Sequence, residues 1–475
     1  MPSCRDPFPR IRQTGVVETN WSGRGWRRAV RGGRITRSWK PARLAGAAAW
    51  RWAHAHLAFG SDRRQARRKQ AVLRTAEDVT RTMGDMKGAV MKIGQVLSLM
   101  SGVLPDEMAG QLASLQSNAP PMAYELVEEV FQRAYGCSPQ RLFRHIERQP
   151  FAAASIGQVH RATLHDGTKV AVKVQYPGVR EAIEHDLANV GLMVGLSSLF
   201  ARGLDAGPIV RDLKEGIRGE LDYRNEARWQ QRFHDAFAGH AFIRVPHVYH
   251  ELSSDTVLVQ EYIEGRPFSH ARHLSQADRD RLGEIVYRFC FGSLYRHGLF
   301  NGDPHPGNYL LLDDGSVAFL DFGCVAEFPP ETIEGFKRII RALMDDDREA
   351  WRTGVEAMGI LKPGAPFTAE ELYAHMHWYW APILAGKVTF TPELAAEMVR
   401  RNTQTTGSGG AINRWCNVPE GMVFLTRINF GLAGLFAGLR ARGAWRAIVA
   451  EYVDDTPPAT ELGRISERTS RGLPV

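Results

Sequence analysis

The chain has 475 residues, of which 44% are hydrophobic and 24% charged, and its formal net charge is +8 at pH 7. This length excludes a single small core and indicates two or three lobes, and the composition is ordinary for a globular protein. The five cysteines show no CxxC or other ligand spacing. That pattern excludes a zinc site or a disulfide framework and predicts free thiols in a reducing compartment.

The positive charge is concentrated at the start of the chain. Residues 1–74 contain 18 Lys and Arg, only 3 acidic residues, and five of the 11 Trp. Arg with Trp is typical of a segment at a membrane interface or of a nucleic-acid tail. An Arg-rich start also fits an organelle transit peptide, and a disordered, solvated arm is the simplest alternative. We predict an irregular basic segment over residues 1–75.

Helical periodicity follows the basic segment. In "GDMKGAVMKIGQVLSLM", residues 84–100, apolar residues recur at helical spacing, and a helical extension is predicted over residues 76–145. Residues 146–265 contain short runs rich in β-branched residues, bounded by turn signals such as His165–Gly167. They predict a β-rich lobe with inserted helices.

The remainder of the chain is mainly helical in pattern. A helical lobe is predicted over residues 266–455, with Ser275 and Asp278 as a capping pair at its first helix, and residues 456–475 are predicted to form a tail. No uncharged apolar run reaches about 18 residues, so no spanning helix is predicted. The nearest candidate, Phe424–Gly443, is interrupted by arginines and reads as a buried or membrane-apposed helix.

A lysine stands in the middle of the β-branched run "VAVKV". Lys173 could be an exposed position on an alternating strand, which is the simpler interpretation, or it could hold the α- and β-phosphates of a nucleotide. A phosphate-binding lysine needs a carboxylate to fix it. The helix "RGELDYRNEARWQQRF" offers Glu220, Asp222 and Glu226, of which we predict Glu226 as the partner, although a charged helix face is common on protein surfaces.

The stretch "FNGDPHPGNYLLLDDGSVAFLDFG" places polar residues around two short strands. Asp303 and Asn308 have the DxxxxN spacing of kinase catalytic loops, and Asp321 opens a DFG tripeptide after a hairpin. A lone DFG is weak evidence, but the ordered set is much stronger. We predict that Asn308 and Asp321 bind Mg²⁺ and that Asp303 orients or deprotonates an acceptor hydroxyl.

The nucleotide-binding prediction also includes an alanine-rich loop and a hinge. The loop occupies the position at which a protein kinase has its GxGxxG phosphate-binding loop. The hinge follows a β-strand pattern and would bind adenine through backbone hydrogen bonds. The residues concerned, besides Lys173, are Ala152, Ala153, Ala154, Ser155, Gly157, Val159, Glu261 and Tyr262. The sequence has no activation segment ending in APE, which is where peptide substrates of protein kinases normally dock. Protein phosphorylation is therefore a less favoured function.

These motifs resemble one family, the UbiB/AarF/ADCK atypical kinases, over residues 80–450. The resemblance rests on "KIGQ" at Lys92–Gln95, the "AAAS" loop, "ELD" at Glu220–Asp222, "GDPHPGN" and DFG. It implies an α+β, two-lobed protein-kinase-like fold with a helical N-terminal extension. It also implies that Lys92 and Gln95 lie near the active site. Lys92 would face Glu220 or Asp222, and these two acidic residues would have a regulatory role. Without the family, Lys92 would read as a solvated helix lysine.

The resemblance implies an ATPase or small-molecule kinase, dependent on ATP and Mg²⁺, that supports ubiquinone or other isoprenoid-lipid metabolism at a membrane. The two C-terminal spanning helices of some bacterial members are not expected here, and peripheral attachment through the basic segment would replace them. Expected partners are an isoprenoid lipid or an anionic membrane surface and a homodimer or biosynthetic complex, with no nucleic acid. The expected location is cytoplasmic, or the mitochondrial matrix if the basic segment is a transit peptide.

Two other functions remain open from the sequence. One is a phosphotransferase for a soluble small molecule, similar to aminoglycoside or choline kinases, which share the DxxxxN and DFG-like elements but lack KxGQ. The other is a non-catalytic lipid-binding module that uses nucleotide only as a switch.

Overall fold

The computed structural model describes residues 122–154, 156–181, 183–184, 216–402, 407–417, 419 and 423–470. Several predicted features lie outside the described residues, namely the basic segment 1–75, most of the helical extension, Lys92, Gln95 and Ser155.

Short strands occur in both lobes. In chain order they are β1 (His145–Ile146), β2 (Ala152–Ala154), β3 (Gly157–Thr163), β4 (Lys169–Gln175), β5 (Ile243–Arg244), β6 (Val257–Glu261), β7 (Arg266–Pro267), β8 (Leu299–Asn301), β9 (Tyr309–Leu311), β10 (Val317–Phe319), β11 (Val325–Glu327), β12 (Val388–Thr389) and β13 (Arg442–Gly443).

Helices flank the first sheet and build most of the second lobe. They are α1 (Tyr124–Tyr135), α2 (Pro139–Leu142), α3 (Tyr223–Ala236), α4 (Gln276–His297), α5 (Pro330–Met344), α6 (Arg348–Ala357), α7 (Ala369–Leu384), α8 (Pro392–Asn402), α9 (Gly407–Asn413), α10 (Val423–Leu439), α11 (Trp445–Val453) and α12 (Glu461–Ser470).

The first lobe is a five-stranded antiparallel sheet in the order β1-β3-β4-β6, with β2 paired to the start of β3. Successive side chains of a strand point to opposite faces. Val170, Val172 and Val174 of β4 therefore share one face, where they pack in a core with Val127 and Phe131 of α1. The intervening residues of β4 point to the opposite face.

Helix α3 packs against that opposite face. Leu258 of β6 is paired with Lys173 and lies in a core with Tyr223 and Ala227 of α3. The helix begins after Asp222, whose carboxylate accepts the backbone N–H of Arg224 at 3.0 Å and so caps the first turn. Asp222 therefore has a structural partner of its own.

The second lobe is organised around the 22-residue helix α4. Its predicted capping pair is confirmed, because the Ser275 hydroxyl accepts the N–H of Asp278 and donates to the Asp278 carboxylate at 2.7 Å. Phe289, near the middle of the helix, is fully buried in the large core of this lobe.

Two small sheets position the polar loops of the second lobe. One has the order β5-β10-β9-β7 and the other pairs β11 with β8. Residues 302–308 connect β8 to β9, and residues 320–324 connect β10 to β11. Because β9 pairs with β10 and β8 pairs with β11, the two connections lie side by side.

A buried arginine cluster ties α4 to the end of the chain. Arg288 donates to Glu284 at 2.7 Å, to both carboxylate oxygens of Glu451 at 2.8 and 3.0 Å, and to the Thr460 hydroxyl at 2.9 Å. It also donates to the Tyr452 hydroxyl at 3.4 Å. All five guanidinium N–H donors are thus used inside the fold.

The end of the chain also packs on the second lobe. Helix α12 contributes Ser466, whose hydroxyl lies 3.0 Å from Nε2 of His240. The described part of the apolar helix α10 is buried in the core through Leu432, Leu435 and Phe436. Within the described residues, no helix is both long enough and apolar enough to cross a bilayer.

Candidate active site

Lys173 lies between two carboxylates on the face of the sheet opposite α1. Its Nζ donates to Glu226 at 2.8 and 3.0 Å and to Oδ2 of Asp321 at 3.3 Å. The structure therefore contains the Lys173–Glu226 pairing predicted from the sequence, and it adds Asp321 from the second lobe. The interpretation of Lys173 as an exposed strand residue is wrong, since only 8% of it is accessible.

The charges around Lys173 depend on one another. Burial lowers the pKa of Lys173, but attraction by Asp321 and Glu226 outweighs burial and places the pKa well above its ordinary value. Burial raises the pKa of Glu226 to about 7, and the Lys173 ammonium opposes that rise. The lysine is thus a fixed positive charge at neutral pH, as a phosphate-binding group must be.

The connection between β8 and β9 carries Asp303 and Asn308. The side-chain N–H of Asn308 donates to Oδ2 of Asp303 at 3.1 Å, so the DxxxxN spacing brings the two side chains together. The backbone carbonyl of Asn308 accepts the N–H of Leu320 at 3.0 Å. Asn308 therefore lies beside the residue that precedes Asp321.

Asn301 joins the two polar connections and was missed by the sequence analysis. Its Oδ1 accepts the N–H of Asp303 at 3.1 Å, and its Nδ2 donates to the backbone carbonyl of Asp321 at 2.8 Å. Only 4% of Asn301 is exposed. One amide side chain thus fixes the catalytic-loop aspartate relative to the DFG aspartate, and its position two residues before Asp303 was the only sequence signal.

The DFG tripeptide is fixed by contacts at each of its three residues. Oδ1 of Asp321 accepts the N–H of Gly323 at 3.0 Å. Phe322 is fully buried, with its ring centroid 4.9 Å from that of Phe233 on α3. Glu220 is also buried, and its Cγ would lie 3.2 Å from a Cβ added at Gly323. Glu220 is therefore part of the site, whereas Lys92, its expected contact, lies outside the described residues.

The alanine-rich loop forms a hairpin of β2 and β3. Ala152, Ala153 and Ala154 pair with Val159, Gln158 and Gly157 respectively, and Val159 is in turn opposite Lys173. A Cβ at Gly157 would collide with the backbone carbonyl oxygen of Val174. Gly157 is therefore required by the close approach of β3 to β4, whatever its contact with a nucleotide.

The predicted hinge residues have protein partners. The N–H of Glu261 donates to the carbonyl of His247 at 2.8 Å, and the N–H of Tyr262 donates to the carbonyl of Lys169 at 3.3 Å. These two donors are engaged, so a base bound at the hinge would have to use other groups. The Glu261 carboxylate accepts from Arg244 at 3.2 Å.

An aromatic residue that the sequence analysis did not single out lies beside the hinge. Phe151, which precedes β2, is 41% exposed and packs edge-on against Tyr262 with ring centroids 5.8 Å apart. The Arg161 guanidinium lies 4.8 Å from the centroid of Phe151 and donates to the Tyr262 hydroxyl at 3.0 Å. The pairing joins parts of the chain that are distant in sequence, so no local pattern indicates it.

The donor set of the site suits magnesium in the presence of phosphate. Among the described residues, no three His, Cys, Asp or Glu side chains form a cluster that could hold a metal by themselves. Mg²⁺ commonly binds one or two protein carboxylates and completes its coordination with phosphate oxygens and water. Asp321 offers a carboxylate beside Lys173, and Asn308, which lies next to Leu320, offers a side-chain carbonyl oxygen. Both are hard oxygen ligands, so the residues fit the ion.

Comparison with known proteins identifies the family. The ABC1 atypical kinase-like domain matches residues 114–353. The chain is 34% identical over 276 residues to the mitochondrial atypical kinase COQ8B of Rattus norvegicus, covering 58% of this chain and 52% of that protein. It is 31% identical over 289 residues to the uncharacterized protein slr0889 of Synechocystis, covering 58% of this chain and 70% of that protein.

A solved structure is similar over most of the chain. The Mycobacterium tuberculosis protein Rv3197, in complex with erythromycin, superposes with a TM-score of 0.59 at 30% identity, covering 81% of this chain and 97% of that one. The predicted α+β, kinase-like fold is confirmed, while most of the predicted helical extension lies outside the described residues. Because the domain match covers half of the sequence, the chain belongs to the ABC1 family of atypical kinase-like proteins.

Proposed function

We propose that the chain binds ATP with Mg²⁺ in the cleft between its lobes and transfers or hydrolyses the γ-phosphate. The observation that carries this proposal is the position of the Lys173 ammonium, held by Glu226 from the first lobe and 3.3 Å from Asp321 of the second. A lysine placed in this way can hold phosphate oxygens that lie beside the metal ligands.

Each residue has a role that follows from its position. Lys173 would contact the α- and β-phosphates while Glu226 keeps its side chain in place. Asp321 and Asn308 would hold the ion, which when bound neutralises charge on the phosphates. Asp303 would orient an acceptor hydroxyl or a water molecule and accept its proton, and its hydrogen bond from Asn308 keeps its carboxylate beside the metal ligands.

An ATPase assay on the purified full chain tests the nucleotide part. Asp321→Asn should abolish Mg²⁺-dependent ATP binding and turnover, because it removes the carboxylate charge next to Lys173. The matched control is Asp313→Asn in the β9–β10 turn, where the side chain is 99% exposed, and it should keep wild-type turnover. Unchanged turnover in Asp321→Asn would overturn the assignment.

We further propose that the acceptor or activator is an isoprenoid or quinone-type lipid at an anionic membrane surface. Two observations support this: the resemblance to the UbiB/AarF/ADCK family and the excess of Lys and Arg in residues 1–74. Basic segments bind anionic leaflets with about 1 kcal/mol for each charge near the surface, and salt weakens them. ATPase activity should therefore rise with cardiolipin-containing vesicles but not with zwitterionic ones, and about 0.5 M salt should remove the rise.

A second candidate function is phosphoryl transfer to a soluble small molecule. It is favoured by the similar M. tuberculosis structure, which contains erythromycin. Stimulation of ATP turnover by a soluble hydroxylated compound, with no response to vesicles, would place this candidate first. Turnover that responds to vesicles alone would leave the lipid proposal in place.

A further inference from the structure

Gln260 is the penultimate residue of β6, directly before the hinge residues Glu261 and Tyr262. It is paired with Ala171 of β4, and residues directly opposite one another in an antiparallel pair lie on the same face of the sheet. Ala171 is two residues from Lys173 and therefore shares its face. Since Lys173 reaches Asp321 across the cleft, the side chain of Gln260 also lies on the cleft face.

The surroundings of Gln260 are apolar and its carbonyl oxygen is left unpaired. Only 8% of the residue is exposed. Its neighbours on the same face of the sheet include Ala171 opposite and Leu258 two residues away. Oε1 of Gln260 is buried and has no hydrogen-bond partner among the described residues. A buried unpaired acceptor is unfavourable, so this oxygen indicates a missing donor.

The position of this oxygen matches the base end of a bound nucleotide. Gln260 is paired with Ala171, which is two residues from Lys173 along β4, and so lies about 7 Å from the phosphate-binding lysine along the strand. The nearby N–H groups of Glu261 and Tyr262 already donate to protein carbonyls. A base bound here would therefore find Oε1 of Gln260 as an available hydrogen-bond acceptor.

We infer that Gln260 is the residue that selects the nucleobase, by accepting a hydrogen bond through Oε1 from the exocyclic 6-amino group of adenine. This inference rests on the proposed function, because it assumes that a nucleotide occupies the cleft. An amino group supplies the donor that the buried oxygen needs. With the amide oriented as in the structure, a 6-oxo purine presents a second acceptor at position 6, and a purine without a 6-substituent presents nothing there. Both therefore leave Oε1 without a donor at position 6.

The experiment measures dissociation constants for three triphosphates in the presence of Mg²⁺: ATP, inosine triphosphate and purine riboside triphosphate. They differ at position 6 of the base, and the inosine base also carries a proton on N1. The proteins are the full chain, Gln260→Met and Gln231→Met. Methionine has nearly the volume of glutamine and no amide. Gln231 is the matched control because its Oε1 is also buried without a partner among the described residues, yet it lies on α3 and its Nε2 donates to Asp235 at 2.8 Å.

The wild-type chain and Gln231→Met should bind ATP about tenfold more tightly than either analogue. In Gln260→Met the three affinities should become equal, mainly through weaker binding of ATP. Thermal unfolding of each variant, followed without ligand, establishes that the proteins are folded.

Two results would overturn the inference. The first is that the wild-type chain binds ATP, but its preference for ATP over the analogues is no larger than that of Gln260→Met. In that case Gln260 does not select the nucleobase, and the proposed function still stands. If the wild-type chain binds no triphosphate under any condition, the proposed function fails and the inference fails with it.

Discussion

Among the described residues, Lys173 and Arg288 are both buried cations, but their surroundings differ. Lys173 in the cleft and Arg288 in the second lobe each contact two carboxylates, and the exposed fractions of the two side chains are 10% and 1%. Glu451, the partner of Arg288, is 3% exposed, whereas Asp321, the second partner of Lys173, is 27% exposed. The arginine cluster is closed to solvent, and the lysine cluster is open on one side.

The two clusters show how a ligand site can be distinguished from a structural ion pair. Arg288 has a protein acceptor for each of its N–H donors, so no ligand is needed to complete it. Lys173 has a buried partner that fixes it and a more exposed partner on a separate lobe, where a phosphate could join. Burial of a charge is common to both clusters and therefore does not by itself indicate function.

The largest expected effect is on activity. Lys173→Met should lower ATP turnover on the order of a thousandfold, because a preorganised positive charge in a site commonly contributes this much. Turnover per folded molecule is the measurement, with folding checked by circular dichroism. Retention of more than a tenth of wild-type turnover would mean that the two clusters differ in exposure but not in role.

Removal of the cation from the arginine cluster should affect stability and not activity. Arg288→Met leaves Glu284 and Glu451 without their cation and should lower the free energy of unfolding by about 3–5 kcal/mol, as measured by urea denaturation. Turnover of the molecules that remain folded should be unchanged. Arg296→Met, an exposed arginine on the same helix, is the control and should cost less than about 1 kcal/mol. An equal loss in both variants would contradict the structural role of Arg288.

The smallest effect is a pH dependence. Burial, together with the positive charges of Arg296 and Arg288, lowers the pKa of His240 from 6.5 to about 4. As the pH falls from 6.5 towards 4, the unfolded chain binds a proton that the folded chain does not. The free energy of unfolding should therefore fall by about 2–3 kcal/mol over this window.

Denaturation curves at pH 7 and pH 4.5 measure this loss. His240→Gln, which does not titrate, should reduce the difference between the two pH values. Arg288→Met should also reduce it, since it removes one of the charges that oppose protonation. If the wild type and His240→Gln show the same difference, other groups account for the pH dependence.

Sequence reasoning succeeded where the chemistry is local or recurs in a fixed order. The capping pair Ser275–Asp278, the turn between β9 and β10 and the kinase-like fold follow from short patterns. The pairing of Lys173 with Glu226 followed because a phosphate-binding lysine needs a carboxylate to fix it, and one predicted helix offered three candidate acidic residues.

It failed where the partner is distant. Arg288 looks like any helical arginine until Glu451, 163 positions away, is known to lie beside it. Gly157 was interpreted through the nucleotide, whereas the structure shows its contact with Val174 of β4. Asn301 lies in a buried strand with no recurring spacing, and only the adjacency of two loops reveals its hydrogen bonds.

The placement of Phe322 restricts which inhibitors could act on this protein. Its ring is completely enclosed and packs against Phe233, and Asn301 holds the preceding carbonyl at 2.8 Å. A compound that requires this phenyl group to swing out of its pocket would have to open an aromatic core and break that hydrogen bond. Under the proposed function, compounds that bind near Gln260 and Lys173 would not need to move this ring, and flat, amine-bearing heterocycles would be the rational starting point for chemical probes.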